Sequence, residues 1–231
     1  MYKMPKYITF DAYGTLVNFE MTKVTMQILG ERAKTIDTEA FLQEFSDRRF
    51  DDILGEYRPY EAVLRRCLHN VMSKYGLEYT EADGDMMMAA VPTWGPFADV
   101  PPVLRILRQY TKIVIISNTE DRLIEKNIAN IGVPFDDYIT AEQARAYKPT
   151  KPIFDYTLRK LNCDKSEILH VANGFEYDIM PAHDLGWKAI WINRYQEKGD
   201  LAYGPYDVLP DLTGLPAMLG IEVPQESLPV A

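Results

Sequence analysis

Tyr7-Ile8-Thr9-Phe10-Asp11-Ala12-Tyr13-Gly14-Thr15-Leu16 is the stretch on which the fold turns. A short apolar strand ends at Phe10 and delivers one carboxylate, Asp11, to a tight turn. In an open α/β sheet the carboxyl edge of the strands is where ligands bind. Two residues further on stands Tyr13, where a second acid would change the chemistry.

Working outward, a long helical region follows, over about residues 20 to 91. Residues 59 to 75 carry its clearest stripe. Val63, Cys67, Val71 and Tyr75 form one row, with Leu64, Leu68 and Met72 beside it, and Pro59 sits where a first-turn proline is tolerated. Residues 38 to 57 form a second helix with Thr38 as its N-cap. From Trp94-Gly95-Pro96 onward the pattern alternates. Helices are expected over 100–110, 120–131 (stopped by Gly132), 151–162 and 175–185. Strands are expected over 112–116, 138–140, 167–171 and 188–192. Continuous apolar strands between helices predict an α/β fold with a parallel sheet covered on both faces. The tail from Asp200 wraps on the body with a short helix near 213–219, and its last few residues are expected to be loose.

The chain has 231 residues, 47% of them hydrophobic, enough for one domain with a sizeable insertion. A net charge of −9 disfavours nucleic acid and anionic membranes as partners. Cys67 and Cys163 make neither a disulfide framework nor a zinc site. No secretory signal is apparent in Met1–Lys6, and Ile113–Ile116 is too short to span a bilayer, so a cytoplasmic setting is expected. His69, His170 and His183 lack ligand spacing and are assigned to core or surface.

Four groups lie just past four strands: Asp11; Ser117 with Asn118; Lys148; and Asn173 with Asp178. Parallel strand ends point the same way, so these groups can converge on one pocket.

The series Asp-x-Tyr-Gly-Thr-Leu, Ser-Asn, Tyr-Lys-Pro and Asn-x-x-x-x-Asp-Ile resembles the haloacid dehalogenase superfamily. Within it the chain is similar to the L-2-haloacid dehalogenases, the resemblance reaching to the tail Leu209-Pro210-Asp211-Leu212-Thr213-Gly214-Leu215. It implies a Rossmann-like core, residues 1–16 and 95–231, and a helical cap, residues 17–94, inserted after the first strand. It also implies that Asp11 attacks C2 of a 2-haloacid and forms an ester. Lys148 would keep that carboxylate ionised. Thr15 and Ser117 would hydrogen-bond the nucleophile or the substrate carboxylate, and Asn118 would line the halide side. Asp178 would direct water at the ester. The N–H groups of Ala12 and Tyr13 would bind the substrate carboxylate. Phe175, Asn173 and Trp94 are further pocket candidates. Phosphatases of the superfamily carry an acid where Tyr13 stands and hold Mg²⁺. Halide leaves without a proton, so Tyr13 fits a dehalogenase, and no cofactor or metal is expected.

Three departures mark this chain. The segment Phe45-Ser46-Asp47-Arg48-Arg49 puts Ser46 where the family has an arginine. Arg48, Arg49 and Arg58 are the candidates to replace it, with Arg48 taken as substrate-binding. Phe154 stands for a family tyrosine, and Ala172-Asn173-Gly174-Phe175 for a serine-rich turn. The expected partners are a small 2-haloacid and water, and a homodimer by analogy. The alternatives are a Mg²⁺-dependent phosphatase and a catalytically idle protein that binds a small acid.

Overall fold

A computed structural model describes residues 2–223. Six parallel strands form one sheet: β1 Tyr7–Phe10, β2 Lys112–Ser117, β3 Asp137–Thr140, β4 Ile168–Ala172, β5 Lys188–Ile192 and β6 Asp207–Leu209. Their order is β3-β2-β1-β4-β5-β6. Neighbouring β1 and β4 carry the chain to opposite halves of the sheet, so the crevice at their carboxyl ends is the topological switch point. Every residue of β1 and β4 is buried, as strands covered on both faces require.

Between β1 and β2 lie α1 Met21–Leu29, α2 Thr38–Ile53, α3 Tyr60–Lys74, α4 Glu81–Ala90 and α5 Val100–Leu107. The first four form a helical layer over the carboxyl edge of the sheet. The stripe of α3 is its inner face, with Val63, Leu64, Cys67, Leu68, Val71 and Met72 all buried. The chain enters and leaves this layer through one paired hinge. Asn18 N–H donates to the Gly95 carbonyl (2.9 Å) and Phe97 N–H to that of Leu16 (3.1 Å).

The remaining helices are α6 Asp121–Ile131, α7 Ala141–Ala144, α8 Lys151–Leu161, α9 Met180–Leu185 and α10 Leu215–Met218. Gly132 ends α6 in the left-handed conformation, as expected. Among the described residues no helix is long and apolar enough to cross a membrane.

Several local expectations need correction. The N-cap of α2 is Asp37, whose carboxylate accepts from Ala40 N–H (3.0 Å), and Thr38 is already helical. That helix stops at Ile53, not residue 57, because the chain turns through Leu54 and Gly55. Pro59 precedes α3 as its N-cap instead of standing in its first turn. Helix α5 is shorter than 100–110, its end tightening into i→i+3 bonds at Gln109 and Tyr110. The segment 175–185 does not start as an α-helix. Ile179 N–H reaches back five residues to the Gly174 carbonyl (3.3 Å), a widened π-turn over Phe175–Ile179 that runs into α9. Strand β6 was not anticipated, since its residues are mostly exposed and it sits at the sheet edge. The last few residues of the tail lie outside the described residues.

Candidate active site

Asp11 leaves β1 into a turn that only glycine completes easily. Gly14 has φ 87°, and a Cβ there would meet Asn173 Oδ1 at 3.2 Å. Thr15, one turn on, donates its hydroxyl to Asp11 Oδ2 (2.8 Å) and accepts from Asn173 N–H (2.7 Å), locking the β1 and β4 turns together. The N–H groups of Ala12 and Tyr13 have no acceptor among the described residues. Arg194, beyond β5, braces this turn from behind. It donates to the Thr15 carbonyl (3.1 and 2.9 Å) and pairs with buried Asp99 (3.0 and 2.8 Å).

Lys148 is 1% exposed and lies between two carboxylates. Its Nζ donates to Asp11 Oδ1 (2.8 Å) and Asp178 Oδ1 (2.6 Å). The backbone of Lys148 is clamped by Asn118. Lys148 N–H donates to Asn118 Oδ1 (2.7 Å), and Asn118 Nδ2 donates to the Lys148 carbonyl (2.8 Å). Burial alone would depress the ammonium, but the two carboxylates outweigh it and hold the Lys148 pKa above the usual lysine value. At Asp11, burial prevails over Lys148, and the carboxyl sits above the ordinary aspartate range. At Asp178, burial is overcome by the Lys148 ammonium and by His170, and its carboxyl sits below that range. The paired groups therefore titrate as a unit in which Asp11 is the more basic carboxylate.

Above these groups is a cavity of about 190 Å³. Asp11, Asn118, Lys148, Gly174 and Asp178 form its floor, with Tyr13, Phe19 and Tyr177 at the sides. Helices α2 and α3 close it with Ser46, Arg49 and Ile53, and with Tyr60 and Val63. The wall is largely apolar, and among the described residues Arg49 is the one cation it contributes. The Arg49 guanidinium lies over the Phe45 ring (4.8 Å) and the Phe19 ring (5.7 Å), and its Nε donates to the Phe45 carbonyl (3.2 Å). Burial pushes the Tyr177 phenol up to about 12.

Of the residues singled out from sequence, Asp11, Thr15, Asn118, Lys148 and Asp178 are brought together, with Ala12 and Tyr13 in the same turn. Tyr13 presents its ring to the cavity and turns its hydroxyl away, donating to Asn127 Oδ1 (2.9 Å).

Five others are placed differently. Ser117 is fully buried, and its Oγ has no hydrogen-bond partner among the described residues, so it does not hold Asp11. Arg48 points outward and pairs with Glu44 (2.8 Å) at i,i+4. Asn173 is consumed by structure. Its Nδ2 donates to the Ile192 carbonyl (2.8 Å), and its own carbonyl accepts from Trp191 Nε1 (2.8 Å). Phe175 faces an aromatic cluster with Trp191 and Tyr206, and Tyr177, two residues on, faces the cavity instead. Trp94 stands one layer behind the wall, edge-on to Tyr13 (5.6 Å) and Phe19 (5.2 Å).

His170, assigned to core or surface, lies in the core, and what the sequence does not show is its partner. Its Nε2 lies 2.9 Å from Asp178 Oδ1. A polar residue in the middle of the apolar run Ile168-Leu169-His170-Val171-Ala172 was the available signal.

This is a doubly wound α/β protein whose switch-point crevice pairs two buried carboxylates through one ammonium beneath a helical layer. The family model for haloacid dehalogenase-like hydrolases matches residues 5–186, and the chain belongs to that family. Haloacetate dehalogenase H-2 of Moraxella sp. (strain B) is 27% identical over 211 residues, covering 89% of this chain and 92% of that one. The (S)-2-haloacid dehalogenase of Pseudomonas sp. (strain YL) is 25% identical over 195 residues, covering 82% and 83%. The solved L-2-haloacid dehalogenase from Xanthobacter autotrophicus, with chloropropionic acid covalently bound, shares the fold. Its TM-score is 0.79 at 22% identity, covering 94% of this chain and 99% of that one.

Proposed function

We propose that the protein hydrolyses short 2-haloacids to 2-hydroxyacids, with Asp11 as nucleophile. The observation that carries this reading is the Asp11–Lys148–Asp178 array on the floor of a small, mostly apolar cavity with a single arginine in its wall. The names of the similar dehalogenases support the same substrate class.

In the first step an Asp11 oxygen bonds to C2 while the carbon–halogen bond breaks and the halide leaves with the electron pair. A carboxylate raised in basicity by burial is the better nucleophile for this displacement. Lys148 keeps it ionised and oriented, and Thr15 fixes its other oxygen. The substrate carboxylate is held by the N–H groups of Ala12 and Tyr13 and by Arg49, the arginine that faces the cavity. In the second step water bonds to the ester carbon of Asp11 and gives a proton to Asp178. Cleavage of the ester C–O bond then releases the hydroxyacid, which takes that proton back. Residues 17–94 serve as the cap that excludes bulk water, moving on the paired hinge at Leu16–Asn18 and Gly95–Phe97.

Among the described residues no group of three or more His, Cys, Asp or Glu side chains is arranged to hold a metal ion. The two carboxylates of the site already share an ammonium. This donor set is a poor fit for magnesium, and no step uses one. The Tyr13 hydroxyl, bonded to Asn127, is not aimed at a leaving group, which counts against the phosphatase alternative.

The test is halide release from fluoro-, chloro- and bromoacetate and both 2-chloropropionate enantiomers, with and without EDTA. Release that resists the chelator and vanishes in Asp11→Ala is the expected result. Phosphate release that depends on Mg²⁺, with no halide from any haloacid, would overturn it.

A further inference from the structure

Asp178 carries its hydrogen bonds on one oxygen only. Oδ1 accepts from Lys148 Nζ (2.6 Å) and faces His170 Nε2 (2.9 Å), whereas buried Oδ2 has no partner among the described residues. Oδ2 lies on the side of Gly174, where an added Cβ would come within 2.7 Å of it, and Gly174 lines the cavity. Because Oδ1 is an acceptor, Nε2 of His170 carries the hydrogen. The other ring nitrogen, Nδ1, lies 2.8 Å from Thr9 Oγ1, so in the neutral ring the threonine hydroxyl donates to it and fixes the tautomer. Thr9 and His170 face each other as registered partners on β1 and β4, so the sheet itself sets this contact. Phe154 and Trp187 stand edge-on to the imidazole, each at 6.3 Å, and hold the ring in place.

We propose that His170, locked by Thr9, is a positioning residue for ester hydrolysis: it holds Asp178 Oδ1 so that Oδ2 alone remains to take the proton from the attacking water. This rests on the dehalogenase reading above and adds a residue to it. His170 acts in the second step only. Once Asp11 is esterified its negative charge is gone, and Lys148 no longer has two carboxylates to bridge. Lys148 then stays on Asp178 Oδ1 as a single donor, and the His170 N–H is the second donor on that oxygen that keeps the carboxylate from rotating about it. The first step, attack by Asp11 at C2, does not pass through His170.

The experiment compares His170→Phe, His170→Gln and Thr9→Val with the unaltered enzyme, using chloroacetate. It follows halide release at early times, steady-state kinetics and the mass of the Asp11 peptide after quenching. In His170→Phe the first equivalent of halide is expected at a nearly unchanged rate. kcat falls on the order of 10- to 100-fold, as for a lost positioning contact, KM falls with it, and the carboxymethyl ester accumulates on Asp11. His170→Gln, whose amide can donate to the same oxygen, recovers most of kcat. Thr9→Val, a gentler change, shows a smaller drop with the same ester accumulation, and it carries the test if His170→Phe fails to fold. Equal slowing of the halide burst and of turnover, without ester on Asp11, would overturn the inference. So would an unchanged kcat in both His170→Phe and Thr9→Val. If the unaltered enzyme releases no halide from any haloacid, the dehalogenase reading fails first, an outcome distinct from these.

Discussion

On the floor of the cavity Asp11, Lys148 and Asp178 arrive from three separate strand ends and are held almost wholly away from water. On its wall Arg49 arrives from one helix and is steadied by two aromatic rings and a backbone carbonyl. Each floor charge is fixed by another charge, so removing one strands the rest in a dry setting. The wall charge is fixed by packing, so removing it leaves its neighbours intact. In the function proposed above, this contrast assigns the chemistry to the floor and the retention of the substrate anion to the wall.

The largest effect is expected at the nucleophile. Asp11→Ala removes halide release by at least about 10⁴-fold, the scale on which lost nucleophiles are felt. Lys148→Met is next. It leaves two buried carboxylates without their cation, and a loss of roughly 3–5 kcal/mol of stability in urea titration accompanies a rate loss on the order of 10³-fold. A Lys148→Met enzyme with normal stability would break the idea that floor charges are mutually dependent. At the wall, Arg49→Ala is expected to raise KM for chloroacetate about 10- to 100-fold, as a lost charged hydrogen bond does, with unfolding little changed.

The pH profile sharpens the same contrast. Burial raises the Asp11 carboxyl, and attack needs its ionised form, so activity is gained as pH rises through that raised value. The acid limb of kcat/KM therefore lies above about pH 4, the ordinary aspartate value, and belongs to the Asp11–Asp178 pair. A limb below that value would contradict the description of the floor. The smallest effect is expected for Arg48→Ala. It loses only an exposed i,i+4 pair with Glu44 and should leave KM within about twofold. A large KM change there would exchange the roles of the two arginines.

The difference between floor and wall also explains what could be read in the sequence. Strand ends place their residues by topology, so Asp11, Asn118, Lys148 and Asp178 were legible from the order of strands and turns. The alternation of elements after Trp94 was legible for the same reason. A helix places its residues by rotation, and adjacent positions differ by about 100° around its axis. Arg48 and Arg49 therefore point about 100° apart, and the signal that selects Arg49 is its place on the i,i+4 row Phe41, Phe45, Arg49, Ile53, the buried face of α2. The same rotation decides the turn Phe175–Ile179, where Tyr177 faces the cavity and Phe175, two positions back and on the other side, packs with Trp191 and Tyr206. His170 escaped because its partners, Thr9 and Asp178, meet it only through strand pairing and a turn not visible in the chain.

The most direct test of the central claim, that Asp11 bonds covalently to the substrate carbon, is a single turnover of excess enzyme on chloroacetate in ¹⁸O-labelled water, followed by mass analysis of the peptide containing Asp11. The account predicts that the heavy oxygen appears in the Asp11 side chain while the glycolate formed keeps the ordinary oxygen supplied by the enzyme. Label in the glycolate and none in Asp11 would contradict it, because water would then have attacked the substrate carbon directly.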